Sequence, residues 1–241
     1  GLDCAFVLTP KDTHATYIIP LLEKNIDIFS EKPMATTLTE ASHMTEVAEK
    51  KNRILMVGFN RRYAPVYVKA REVFKDESPD VCFLEKNRPG TEYRATFENS
   101  IHMVDLMRWY CGECREVQAH AQFDDPYYET NLTAQFKFSG GALGLLLANR
   151  TGGQWLERAE MCGGGKTVIV ELPERVRVLD SKREVSVATT PLAMGWADVK
   201  ENLGFRAQVA AFFESVRTRK QPLTSASESL KTHVLMDRVL R

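Results

Sequence analysis

The stretch Ile26-Asp27-Ile28-Phe29-Ser30-Glu31-Lys32-Pro33 decides how this 241-residue chain is read. A short apolar run ends in a carboxylate, an ammonium and a proline. Proline cannot donate to a sheet ladder, and it pushes the residue before it out of the helical region. Lys32 is therefore delivered at a sharp reversal, at the carboxyl end of a strand. In open α/β sheets that edge is where ligands bind. Glu-Lys-Pro is also a common surface turn, and the tripeptide alone does not separate the two readings.

The flanking sequence does separate them. Upstream, Cys4-Ala5-Phe6-Val7-Leu8 reads as a buried parallel strand ended by Thr9-Pro10. A helix from Thr13 to Asn25 follows, with Ile18, Ile19, Leu21 and Leu22 inward; Pro20 is expected to kink or split it. Downstream, Thr37 caps a helix from about Leu38 to Lys51, with Ala41, Met44, Val47 and Ala48 at helical spacing. A third strand, 54–58, runs into Phe59-Asn60-Arg61-Arg62-Tyr63, and a further helix covers Pro65 to Phe74. This alternation predicts a parallel sheet with helices on its faces.

Beyond Asp80 the pattern changes. A strand over 81–86 leads to Arg88-Pro89-Gly90, a polar loop and an apolar helix from about Glu98 to Tyr110. Strands then come in succession from Val117 to Ala188. Ser139-Gly140-Gly141 and Pro173-Glu174-Arg175 form hairpin connections. Gly163-Gly164-Gly165-Lys166 also reads as a hairpin, because a phosphate cradle needs a helix amino terminus. Helices over 205–217 and 227–241 close the chain. The fold class is α/β plus α+β. A parallel-sheet domain over 1–79 precedes a mostly antiparallel open-sheet domain over 80–241, whose terminal helix can return to the first.

Composition narrows the function. Lysine plus arginine and aspartate plus glutamate each number 32, so no electrostatic footprint for nucleic acid or anionic membrane is present. No apolar run approaches a membrane span, and the amino terminus carries no signal-peptide pattern. Five cysteines lack a disulfide-scaffold spacing, and Cys111-Gly-Glu-Cys114 has no second ligand pair. The expectation is a cytoplasmic protein without a metal site.

Four motifs occur in order: Thr9-Pro10 with His14, Glu31-Lys32-Pro33, Gly58-Phe59-Asn60-Arg61-Arg62, and His102-x-x-Asp105-Leu106. Together they resemble the glucose–fructose oxidoreductase / inositol dehydrogenase (Gfo/Idh/MocA) family. Lys86-Asn87-Arg88, with the run from Glu98 to Asp105, looks closest to its virulence-factor-like oxidoreductase branch. The resemblance implies a Rossmann domain binding NAD or NADP and a sheet domain that lines the substrate site. It further implies a homodimer or higher homo-oligomer, a cis Lys32-Pro33 bond, and hydride transfer with a sugar or cyclitol. A competing reading is a non-catalytic binding or assembly protein, or an inactive truncated chain, that keeps the fold.

Taking hydride from an alcohol carbon needs a base and an oxyanion stabiliser. Lys32 suits the second role, and by resemblance bridges the substrate hydroxyl and the nicotinamide ribose. His102 is the candidate base; alternatively it is a core histidine, since Ile101, Val104, Leu106 and Trp109 make its helix apolar almost all round. Glu98 stands where many members carry aspartate and is expected to orient His102. Asp105 could instead hold the imidazole tautomer, or only bond nearby backbone. Thr9, Pro10, His14, Glu31, Lys32, Asn60 and Arg62 are the cofactor candidates. Lys32, Arg88, His102 and Trp196 are the substrate candidates, with Asn202 beside them. No G-x-G-x-x-G occurs, so the resemblance implies roughly 60–80 further residues upstream of Gly1. The chain as given is expected to bind NAD(P) weakly or not at all, and the choice between NAD and NADP stays open.

Overall fold

Three short strands, β1 (Cys4–Val7), β2 (Asp27–Ser30) and β3 (Leu55–Val57), pair in parallel in that order. The computed structural model describes residues 1–90, 95–124, 129–189 and 198–241. Each strand feeds a helix: α1 (His14–Glu23), entered through a tight turn at Lys11–Thr13, then α2 (Leu38–Lys50) and α3 (Pro65–Val73). Thr37 caps α2 as its sequence requires, accepting from the Glu40 amide and donating to the Glu40 carboxylate. Pro20 does not split α1, contrary to expectation. Its ring lies on the exposed side, while Ile18 and Leu22 on either side of it are buried in the core. Packing outweighs the one hydrogen bond that proline removes.

The second sheet contains β4 (Val81–Asn87), β5 (Cys114–Phe123), β6 (Glu129–Phe138) and β7 (Leu143–Asn149). It continues with β8 (Leu156–Gly163), β9 (Lys166–Glu171), β10 (Arg175–Asp180) and β11 (Arg183–Thr189). The order is β11-β10-β9-β8-β4-β7-β6-β5, antiparallel throughout except for β4 beside β7. Gly164 and Gly165, at φ 56° and 75°, make the β8–β9 hairpin that the glycine run predicted.

On the inner face of this sheet lies α4 (Ile101–Cys111), entered through a π-helical turn at Ala95–Ser100. Every residue from Ile101 to Arg108 is buried. Gly144 on β7 makes this close approach possible, since a Cβ there would overlap the Met107 sulfur.

The chain then supplies α5 (Val199–Asn202), α6 (Phe205–Thr218) and α7 (Ala226–Leu240). The last two return to the first sheet. Phe212 of α6 packs with Phe29 and Met56 on one face, opposite the face covered by Ile18, Leu22, Ala41 and Met44. Residues 224–225 run antiparallel beside β3, where the Val57 amide donates to Thr224 O at 2.9 Å. Gly204, at φ 81°, lets α6 start hard against the turn after β3; a side chain there would overlap Asn60 O and Ala64 N.

A buried ion pair joins the layers. From the turn after β3, Arg62 donates Nε and Nη2 to the two carboxylate oxygens of Asp105 on α4, both at 2.7 Å. Thr232 of α7 donates to the same carboxylate at 2.9 Å. Asp105→Ala strands the guanidinium without its main counter-charge and is expected to cost about 3–5 kcal/mol in urea unfolding at pH 7. The double variant Arg62→Met/Asp105→Leu should lose clearly less than the single one. Equal losses would show that the pair does not act as a unit.

Candidate active site

The carboxyl ends of the three parallel strands meet in a tied set of turns. The Glu31 amide donates to Val7 O at 3.1 Å, and the Gly58 amide to Ser30 O at 2.8 Å. The Lys32-Pro33 bond is cis. The two nitrogens of the buried His14 ring each lie 3.0 Å from a carbonyl oxygen, that of Pro33 and that of Thr9. From the other side, His233 Nε2 on α7 accepts the Met34 amide at 3.1 Å. Two histidines from opposite ends of the chain therefore hold the backbone that presents Lys32.

Lys32 crosses between the sheets. Its ammonium donates to the backbone carbonyl of Glu98, in the turn before α4, at 2.6 Å. Burial lowers its pKa to about 8, with Arg61 and Arg88 pushing the same way against Glu31 and Glu98. Burial likewise raises the Glu31 carboxyl, against the pull of Lys32.

His102 lies close by, 6% exposed, with its ring edge-on to Phe59 at 6.1 Å between centroids. Its Nδ1 has no hydrogen-bond partner among the described residues. Burial, together with the charges of Lys86, Lys32, Arg61 and Arg88, holds the imidazole well below its usual pKa. The ring is therefore neutral and faces cations, which a purely apolar core position would not provide.

Beneath it is a cluster that strand phase creates. Lys86 on β4 and Glu157 on β8 are cross-strand partners on the inner face, and their ammonium and carboxylate meet at 2.8 Å. Arg61 donates Nε and Nη2 to the same carboxylate at 2.7 and 3.0 Å, and the Tyr67 hydroxyl donates at 3.1 Å. Burial opposes ionisation of Glu157, yet the two cations prevail and hold its pKa at about 2. Burial pulls Lys86 down to about 7 despite Glu157.

Several expectations change. Arg62 is not available to a cofactor or substrate, because Asp105 and Glu228 engage its guanidinium in the core. Asp105 for the same reason does not hold the His102 tautomer. Asn60 is buried, and its side-chain amide donates to Leu203 O at 2.8 Å, fixing the loop before α6. His14 ties backbone instead of lining open space. The Glu98 carboxylate pairs with Lys11, so what it displays is a link to the first sheet and not an orientation of His102. Thr9 and Pro10 are exposed beside the β1 turn. Arg88 is half-buried near Lys32 and His102. Asn202 is buried with its Nδ2 unpartnered among the described residues. Trp196 lies outside the described residues.

These residues fit one end of a dinucleotide. Thr9, Pro10, Glu31 and Lys32 offer a floor at the strand ends, and the unpartnered His102 Nδ1 suits a hydroxyl donor. The sequence contains no glycine-rich G-x-G-x-x-G turn to take a pyrophosphate. Among the described residues, no group of three or more His, Cys, Asp or Glu could hold a metal ion.

Comparison with known proteins agrees with this layout. A family model described as an oxidoreductase family with an NAD-binding Rossmann fold matches residues 1–59. A second, the GFO/IDH/MocA C-terminal domain, matches residues 73–168. The chain belongs to the Gfo/Idh/MocA oxidoreductase family. It is 28% identical over 189 residues to scyllo-inositol 2-dehydrogenase (NAD(+)) of Bacillus subtilis, covering 70% of this chain and 55% of that protein. The chain thus spans about half the length of that relative. A dehydrogenase (MviM) from Clostridium difficile shares the fold at a TM-score of 0.87 and 22% identity, over 99% of this chain and 78% of that one. An oxidoreductase from Agrobacterium radiobacter, in complex with NAD+, L-tartaric acid and magnesium, shares it at 0.86 and 18%, over 98% and 76%.

In this Gfo/Idh/MocA chain, Lys11, Tyr67, Glu157 and His233 escaped the sequence reading, and Arg61 and Lys86 entered it only as parts of motifs. A signal existed for two. Lys86 shares strand phase with Cys82 and Leu84, and Glu157 with Ala159 and Met161, so each is a charge at an inward position. Nothing local marked His233, and the motif around Arg61 did not show that its partner is Glu157.

The His233 bond to Met34 gives a pH dependence. Burial lowers the His233 pKa to about 4, so the unfolded chain binds the extra proton below about pH 6.5. Stability from this group is present above that range and lost as pH falls through 4. The expected loss between pH 7 and 5 is about 2 kcal/mol. His233→Gln, whose side-chain oxygen can accept the same amide, should flatten that part of the urea-unfolding profile. An unaltered profile would remove His233 from the account.

Proposed function

We propose that the protein is an NAD(P)-dependent oxidoreductase that transfers hydride between the nicotinamide and a hydroxyl or ketone of a sugar or cyclitol. The observation that carries this reading is that the Lys32 ammonium, at the end of a parallel strand, is held by the turn before α4 and acts on the neutral His102 of that helix, whose Nδ1 has no partner among the described residues. The names of the relatives support the substrate class and the cofactor: one is an inositol dehydrogenase using NAD+, and another was solved with NAD+.

The chemistry divides between the two side chains. When bound, the dinucleotide accepts or supplies hydride at its nicotinamide. As an alcohol is oxidised, His102 takes the hydroxyl proton, for which a neutral imidazole is required. Lys32 stabilises the negative charge that develops on the oxygen, acting where water is largely excluded. In the reverse direction the imidazolium returns the proton to the carbonyl oxygen. Thr9, Pro10, Glu31 and Lys32 take the nicotinamide end, and Arg88 and Trp196 contact the substrate. The free cysteines, Cys4, Cys82, Cys111, Cys114 and Cys162, are in keeping with a reducing cytoplasm.

The experiment is turnover of inositols and aldoses with NAD+ or NADP+, measured on the protein at its full natural length. Lys32→Met is expected to lower kcat by at least about a hundredfold while leaving dinucleotide affinity within a few-fold. Since the Lys32 pKa is lowered to about 8, the rate should fall above that pH as the ammonium is lost. Lys32→Arg should remove that alkaline limb. Unchanged turnover in Lys32→Met would sink the assignment.

The outer face of the second sheet serves as a homodimer interface in this proposal. Val81, Leu143 and Leu145 are exposed together there, on the side of the sheet opposite α4. A dimeric mass by light scattering at micromolar concentration is expected, and Leu143→Lys/Leu145→Lys should convert it to monomer. A wild-type monomer would end this part of the proposal.

A further inference from the structure

Among the described residues, two buried cations beneath His102 share one carboxylate, and this bears on the substrate. Lys11 pairs with Glu98, and Glu31 stands beside Lys32. Glu157 alone serves both Lys86 and Arg61, for which it is the sole acidic partner among the described residues. Lys86 is 2% exposed, Arg61 8% and Glu157 not at all, so with Lys86 protonated the three carry one positive charge in excess out of water. Such a charge is unfavourable unless something negative accompanies it. The unpartnered His102 Nδ1 in the same cluster is a second, independent sign that a ligand group belongs here.

A transient alkoxide stabilised by Lys32 does not account for this arrangement. The Lys32 ammonium is held by the Glu98 carbonyl, whereas Lys86 on β4 and Arg61 in the turn after β3 share the Glu157 carboxylate. The Arg61 charge does not come and go with the reaction, and that of Lys86 is kept only beside an anion, so the pair matches a group that is negative throughout. Resting on the oxidoreductase reading for the polyol part of the ligand, we propose that the substrate is a sugar or cyclitol bearing an anionic group, a carboxylate or a phosphate. The buried charge of Lys86 and Arg61 selects it over the neutral analogue. The low Lys86 pKa, about 7 without the ligand, is in keeping with this, because a bound anion would restore the ammonium.

The test is calorimetric titration of the full-length protein at pH 7, with saturating NAD+, using D-glucuronate, D-glucose 6-phosphate and D-glucose. At least one anion is expected to bind about tenfold or more tightly than glucose. The comparison of the two anions tells carboxylate from phosphate. Lys86→Met should remove most of the preference, and Lys86→Arg should keep it. Should Lys86→Met fail to fold by circular dichroism, a wild-type pH series decides: affinity for the anion must fall as the pH is raised and Lys86 loses its proton, while that for glucose holds. Equal affinities, or no binding of either anion, overturn the inference. Nicotinamide reduction, followed separately by absorbance, keeps the two readings apart. Oxidation of neutral sugars without anion preference defeats only the charge argument. Lys86-dependent anion binding without oxidation defeats only the oxidoreductase reading.

Discussion

Arg62 reaches Asp105 with two nitrogens at 2.7 Å, and through that one carboxylate three distant parts of the chain are brought into register. The turn after β3, helix α4 and helix α7 all end on it, the last through Thr232. Because both charges are buried, their desolvation is offset only if the geometry is kept. The pair therefore acts as a positional constraint: it sets where α4 lies against the first sheet, and hence where His102 lies relative to Lys32. A helix buried along nearly all its length, with Met107 over the bare backbone of Gly144, leaves little room for it to shift.

The electrostatics of the site follow from that placement. Arg61 weakens the hold of Lys32 and Lys86 on their protons, Lys32 weakens that of Lys86, and burial together with these charges keeps His102 uncharged. In the proposed mechanism the cations weaken the imidazole as a base but also make the substrate hydroxyl easier to deprotonate. Glu157 keeps the cluster foldable, since two buried cations without a carboxylate would repel each other and lose their hydration as well. The same carboxylate is too few to neutralise both.

Support for the strand-end turns is shared by remote segments. His14 ties the β1 and β2 turns to each other, His233 fastens Met34 to α7, and Gly204 seats α6 against Asn60 and Ala64. None of these touches open space where a substrate would bind. Their effect on function is positional, through the backbone that presents Lys32.

By itself the sequence determined the element order, the change from parallel to antiparallel strands near Asp80, the Thr37 cap and the Glu31-Lys32-Pro33 reversal. All of these are local: apolar periodicity, capping chemistry and proline geometry act within a few residues. Motif order along the chain carried the family. Tertiary structure alone decided that Arg62 and Asn60 face inward and that the Glu98 carboxylate meets Lys11. It alone decided that α6 joins the terminal helix in returning to the first sheet. It also assembled Lys86, Arg61 and Glu157, residues from three segments, into one cluster. The reason is that a charged side chain's partner is a matter of which strands become neighbours, and sheet order β8-β4-β7 joins segments far apart in sequence. Periodicity tells which way a side chain points, and only packing tells what it meets.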